Sequence, residues 1–132
     1  MERVREKGDV LFVNDSKATN ATATAPALAA FDAVRWILGG QAKSDNLDEC
    51  APHFGHVRKA YTIGEAGELF ARLLRPHMAV AECVTLDAAV QSAAAEAEAG
   101  DTVLLSPACA SFDQFKDFEE GGDRFRELVG AL

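Results

Sequence analysis

The chain is 132 residues long, with a formal net charge of −8, 48% hydrophobic residues and 26% charged ones. That fits one globular domain able to bury about two-thirds of its unfolded surface, and no apolar run approaches the roughly 18 residues of a membrane span. The acidic balance argues against a nucleic-acid backbone as partner, since such binders need a basic face.

Charge is also uneven along the chain. Residues 1–66 carry 8 basic and 9 acidic side chains, residues 67–132 carry 5 and 12. An anionic ligand is therefore expected to meet the first half, or backbone N–H groups in the second. The opening residues, 1–9, are charged throughout and contain no apolar core of a secretory signal.

The apolar run VLFV, residues 10–13, follows the turn signal Lys7-Gly8-Asp9 and reads as a buried strand. The polar then Ala-rich stretch after it predicts a loop feeding a helix that begins near Asn20 or Ala21. Pro26 disfavours that start unless it lies in the first turn, so a later start is also open. Residues 34–38 (VRWIL) are a second strand, ended by Gly39-Gly40. Ser44, Asp45 and Asn46 then offer a cap for a short helix through about Phe54. Residues 57–63 predict a third strand, and residues 65–75 a helix with Leu69, Phe70, Leu73 and Leu74 at helical spacing, stopped by Pro76. Residues 78–83 are a weaker strand. Thr85 caps a helix over 86–99 closed by Gly100, and residues 101–106 (DTVLLS) form a further strand. After the loop PACAS comes a Phe-rich segment, 112–119, then Gly121-Gly122 and a last amphipathic helix from Asp123. Strands alternating with helices in this rhythm imply one α/β domain, with a mostly parallel sheet and helices on both faces.

In such sheets ligands collect beyond the carboxyl ends of the strands. Three loops are thereby nominated: residues 14–20, 39–44 and 106–111. The first, NDSKATN, packs Asp15, Lys17 and several hydroxyl or amide groups before a helix start, where exposed N–H groups with Thr19 and Lys17 suit an anion. The same residues could equally do no more than close a βα turn. GGQAKS, residues 39–44, lacks the glycine before lysine that a phosphate loop requires, and it does not fit GxGxxG. It leaves a glycine pair that permits close backbone approach and Lys43, which could pair with a carboxylate or remain a solvated lysine. In SPACASFDQFKDF, residues 106–118, small residues admit a ligand close to the backbone, and Ser111 and the following helix start could hold an anion. Phe112, Phe115 and Phe118 recur every three residues, first of all as a core-facing stripe.

Other chemistry is weakly signalled. Cys50, Cys83 and Cys109 have no CxxC spacing and suit buried thiols of a reducing compartment, the cytoplasm. His53 and His56 lack the further ligands a metal needs, so no metal site is expected. No Ser–His–Asp, Cys–His or paired-carboxylate pattern stands out. The residues alone lead to an anion-binding α/β domain.

At the same three loops the chain resembles a known family. DSKATN, the GG…KS loop and SPACAS followed by DQF, in matching order from about Val10 onward, are similar to the C-terminal domain of the D-glutamate-adding ligases among the Mur ligases of bacterial peptidoglycan synthesis. The resemblance implies a Rossmann-like three-layer α/β/α domain. It also implies that residues 1–9 are the remnant of a hinge from a missing central ATPase domain, and that residues 10–132 are the D-glutamate-binding domain.

The implied reaction uses ATP and Mg²⁺ in the full-length enzyme. ATP phosphorylates the carboxylate of UDP-N-acetylmuramoyl-L-alanine, and the D-glutamate amine then attacks the acyl phosphate. Carried over by position, Lys43 would pair with a glutamate carboxylate, Thr19 and Ser111 would donate to the substrate, and backbone groups of Phe112 and Phe118 would complete the clamp. Asp15 would face the ATP ribose, and Lys17, the catalytic side chain of the set, the phosphate edge. Residues 45–60 match no motif of the family, and its metal ligands and general base lie outside this chain. The fragment alone is expected to bind no cofactor and to be inactive. A stand-alone anion-binding or interaction module on the same fold is the alternative.

Overall fold

The computed structural model describes residues 1–41, 46–109 and 116–132. The elements run β1 (Glu2–Lys7), β2 (Val10–Asn14), α1 (Ala21–Ala30), β3 (Val34–Gly39), a 3-10 helix (Asp48–His56), β4 (Val57–Ile63), α2 (Gly67–Leu74), β5 (Ala79–Val84), α3 (Leu86–Glu96), β6 (Thr102–Leu105) and α4 (Phe118–Gly130). The strands make a single six-stranded sheet in the order β1-β2-β6-β3-β4-β5. β1 pairs antiparallel with β2, and every other pairing is parallel.

Both faces of the sheet are covered, which is why β2 and β6 read as continuous apolar runs rather than alternating ones, and β3 is interrupted only by Arg35. On β3, Val34, Trp36 and Leu38 join Leu28 of α1 and Phe70 and Leu74 of α2 in one core. Ile37, between them, points to the other face, where Tyr61, Val103 and Leu105 pack with Leu86 and Val90 of α3 and Phe125 and Val129 of α4. The result is the three-layer α/β/α arrangement that alternating strands and helices imply.

α1 begins at Ala21, where the sequence places it, with Pro26 inside it, while other local expectations need correction. Asn20 Oδ1 accepts from Ala23 N at 2.8 Å, and this cap, together with burial of Thr24, Ala27 and Leu28, offsets the missing proline N–H. The short helix before β4 is a 3-10 helix over Asp48–His56 rather than one ending near Phe54. His56 Nδ1 lies 2.9 Å from both Leu28 O and Phe31 O, so it carries a proton there and ties this segment to the end of α1. α3 stops at Glu96, and Gly100, at φ +92°, donates its N–H to Asp9 O instead of closing the helix.

The largest correction concerns α4. It starts at Phe118, capped by Asp117, whose side chain accepts from Glu120 N, and it runs through Gly121 and Gly122 instead of beginning at Asp123. Gly122 is there for proximity. A Cβ on Gly122 would sit 2.7 Å from Ser16 Oγ and 2.9 Å from Asn14 Nδ2, so the helix can lie this close to the β2 loop only without a side chain at that position. Residues 1–9 hold the strand β1, with charged side chains at five of its six positions. Such an edge strand discourages further strand pairing.

Below the sheet, at the amino ends of β3 and β4, buried Asp101 holds the strand ends together. Its Oδ2 accepts from Arg35 Nε at 2.8 Å and from Glu98 N at 3.0 Å. Arg58 Nε stands 2.9 Å from Oδ1 without the alignment of a hydrogen bond. Arg35 also donates to Tyr61 Oη at 3.1 Å. Burial raises the Asp101 carboxyl, but the Glu98 N–H and the Arg35 and Arg58 guanidinium groups outweigh it, and the net displacement is downward.

Candidate functional site

The order of the sheet defines where a ligand fits. β2 and β3 send the chain into elements on one face, while β6, between them, leads to α4 on the other. The chain therefore parts above β6, and a crevice opens at the carboxyl ends of these strands.

The loop after β2 is built by its own polar groups. Asn14 Oδ1 accepts from Ser16 N at 3.1 Å, while its Nδ2 donates to Glu2 at 3.1 Å. Ala18 N donates back to Asp15 O at 3.0 Å, a turn that buries Ala18 and leaves Lys17 exposed. Two backbone bonds lock the loops together: Asp15 N to Leu105 O at 2.7 Å and Ala108 N to Ala18 O at 2.9 Å. Ala108 takes a left-handed φ of +62° to make its turn after Pro107, a strained conformation of the kind that concentrates at ligand sites. The Gly39-Gly40 pair also serves close approach, but to protein: a Cβ on Gly39 would lie 1.9 Å from Ile63 O.

Two clefts flank the Asp15–Thr19 stretch. The larger, about 510 Å³, is lined by Asp15 and Lys17, by Phe118 and Glu119 of α4, and by Glu2 and Arg126. The smaller, about 270 Å³, sits at the start of α1 and is lined by Thr19, Asn20, Asn46, Phe70 and Cys109. Of the site residues expected from sequence, Asp15, Lys17 and Phe118 thus share one cleft, whereas Thr19 faces the other. Lys43, Ser111 and Phe112 lie outside the described residues, as does Phe115.

Burial pushes the Asp15 carboxyl above its ordinary range, against a lowering hydrogen bond from Ser106. Glu2 and Asp123, which bind Arg126 at 2.8 and 2.6 Å, make the wall of the larger cleft acidic. Among the described residues there is no group of three or more His, Cys, Asp or Glu placed to hold a metal ion. His53 and His56 stand edge-on with ring centres 6.2 Å apart. Burial, aided by Glu49, pushes the Cys50 thiol up to about 12, which keeps it protonated and unreactive. No described helix is long and apolar enough to cross a membrane.

Sequence reasoning missed Ser106, whose hydroxyl bonds Asp15, Thr24, whose hydroxyl bonds Ser106 in turn, Gly122, which lets α4 approach the β2 loop, and Arg126, which lines the larger cleft. None carries a local motif. Their roles arise from contacts between residues up to 124 positions apart.

A six-stranded, mostly parallel sheet with a crevice at its switch point defines a Rossmann-like ligand-binding domain. Comparison with known proteins then supplies the family: "Mur ligase, glutamate ligase domain" matches residues 1–109. Proteins named UDP-N-acetylmuramoylalanine--D-glutamate ligase align with the whole chain. The one from Novosphingobium aromaticivorans is 63% identical and the one from Zymomonas mobilis 55%, and in each the chain covers 30% of the relative. Among solved structures, UDP-N-acetylmuramoyl-L-alanyl-D-glutamate--2,6-diaminopimelate ligase superposes on 99% of the chain with a TM-score of 0.65 at 16% identity, over 31% of its own length. The chain belongs to the Mur ligase family, as its C-terminal, glutamate ligase domain. It spans about 30% of the length of the curated relatives it matches.

Proposed function

We propose that this chain is the acceptor-presenting domain of an ATP-dependent amide ligase, one that adds D-glutamate to UDP-N-acetylmuramoyl-L-alanine through an acyl phosphate. The observation that carries this reading is the placement of residues 15–19 between two clefts, with Asp15 and Lys17 lining one and Thr19 the other.

Each cleft suits a different partner. In the smaller one, the Thr19 hydroxyl and the free N–H groups at the start of α1 favour a carboxylate, aided by the partial positive charge of the helix end. D-Glutamate brings two carboxylates, and Lys43 is the cation this reading assigns to one of them, with Ser111 and the backbone of Phe112 completing the clamp; Phe118 lines the larger cleft instead and is not part of it. In the larger cleft, Asp15 is an acceptor-only group suited to the paired hydroxyls of a ribose. Its acidic walls favour no triphosphate on their own. Lys17 meets the phosphate edge, and the remaining phosphate charge and its Mg²⁺ fall to residues outside this chain. Catalysis in such a scheme is mostly positioning: the domain holds the D-glutamate amine against the acyl phosphate as it closes over ATP in the cytoplasm. The chain by itself is expected to turn over no substrate.

The test uses the complete ligase. Lys43→Ala is expected to raise the KM for D-glutamate well above any change for ATP, and Asp15→Asn to do the opposite. Equal effects of each variant on both substrates would overturn the assignment of the two clefts. Unchanged kinetics in both would remove Lys43 and Asp15 from the substrate and nucleotide sites.

A further inference from the structure

Ser106 ends β6 and is fully buried. Its N–H donates to Ile37 O at 3.1 Å, and its carbonyl accepts from Trp36 Nε1 at 2.9 Å, so its backbone is fixed from both sides. Its hydroxyl lies 2.9 Å from Asp15 Oδ2 and 2.9 Å from Thr24 Oγ1. Thr24, in the second turn of α1, is equally buried. A hydroxyl has one proton to give, and an ionised carboxylate only accepts. The Ser106 proton must therefore point to Asp15, and the Thr24 proton to Ser106. The direction of the chain is thus set: Thr24 to Ser106 to Asp15.

We infer that Thr24 and Ser106 are positioning residues for Asp15, a buried hydroxyl relay that anchors Oδ2 and presents Oδ1 to the larger cleft. Its importance for the reaction rests on the proposed nucleotide-facing role of Asp15; the relay itself rests on the geometry alone. Two buried hydroxyls with no other side-chain partner among the described residues would be an odd expense in a core unless they serve the carboxylate they converge on. The relay also opposes the effect of burial, favouring the charged form of Asp15 through the Ser106 hydrogen bond. The charged groups that face Asp15 across the cleft are Lys17, Glu2, Glu119, Asp123, Arg126 and the Met1 ammonium. None of them is on α1, so Thr24 is the means by which that helix bears on the cleft.

The experiment is a carboxyl-carbon NMR titration of Asp15 in this chain, with Ser106→Ala, Thr24→Val and Thr24→Ser. Ser106→Ala is expected to move the Asp15 midpoint up by about half a pH unit or more, as loss of a bond to the charged form requires. Thr24→Val, which keeps the shape and removes the hydroxyl, is expected to move it the same way by less, and Thr24→Ser to restore it. A midpoint unmoved by Thr24→Val, or moved equally by Thr24→Ser, would overturn the relay even if Ser106→Ala fails to fold. In the complete ligase, Thr24→Val is expected to raise the KM for ATP about threefold without changing that for D-glutamate. Should Asp15→Asn leave the ATP KM untouched while the titrations behave as expected, the nucleotide reading fails and the relay stands.

Discussion

Replacing Asp101 by Asn removes one charge from a site where burial leaves no room for compensation. Arg35 is 8% exposed, and its Nε bond to Asp101 at 2.8 Å is its ion pair in the core. Breaking a buried pair by deleting one partner costs about 3–5 kcal/mol, because the other charge stays behind. The Asn oxygen can still accept from Arg35, and half-exposed Arg58 loses little, so the loss falls at or below the lower end of that range: about 2–3 kcal/mol. At roughly 2.1 cal/mol/K of unfolding entropy per residue, this chain has about 0.28 kcal/mol/K, which converts the loss to a fall in Tm of about 7–11 °C. Urea and thermal melts monitored by circular dichroism measure it directly.

The pH dependence supplies a second reading of the same pair. The folded carboxyl sits below its ordinary value, so its contribution is whole above the unfolded pKa and disappears as pH falls through the folded one. The gap between the wild-type chain and Asp101→Asn should therefore be full at pH 7 and narrow at pH values below the usual carboxylate range. A fall of under about 2 °C with an unchanged denaturant slope, or a gap constant with pH, would refute the view that this pair is a buried, charged tie.

Three further outcomes are expected. Gly39→Ala puts a Cβ 1.9 Å from Ile63 O, and since a buried backbone carbonyl cannot move aside it should cost about 3 kcal/mol or more, read as a lowered urea midpoint. Asn20→Ala removes the cap on α1 and should cost about 1 kcal/mol, checked the same way, with a smaller loss for Asn20→Ser. An amide NMR titration of the chain with D-glutamate should shift Thr19 and its neighbours at the start of α1, and L-glutamate should not. Identical shifts with both isomers would remove the acceptor pocket from this face.

The strands were legible because being covered on both faces leaves an unmistakable apolar run, as in residues 10–13 and 34–38. Asn20 and Thr85 announced their helices for an equally local reason: a cap is made within three residues of itself. What escaped was long-range. Gly121-Gly122 looked like a break because a glycine pair weakens an isolated helix by about 1 kcal/mol per residue; only the approach of Asn14 and Ser16 explains why the helix keeps them. β1 was hidden by its charges, since Val4 is the one apolar residue of its six and packs only in part against the core. The site divides in the same way. Its loops could be nominated from the ends of strands, but Ser106 and Thr24 give no sign in sequence that they converge on Asp15.

Residues 15–19 also constrain what can change in this domain. Ala18 is buried in the middle of the stretch, with its N–H given to Asp15 and its carbonyl taken by Ala108. That leaves no slack between the carboxylate on one side and Thr19 on the other. A one-residue insertion that widened the smaller cleft would shift Asp15 out of register with Ser106, and a change that moved Asp15 in the larger cleft would drag Thr19 with it. The two clefts must therefore evolve together, or be redesigned together, although they lie on opposite sides of a single turn of chain.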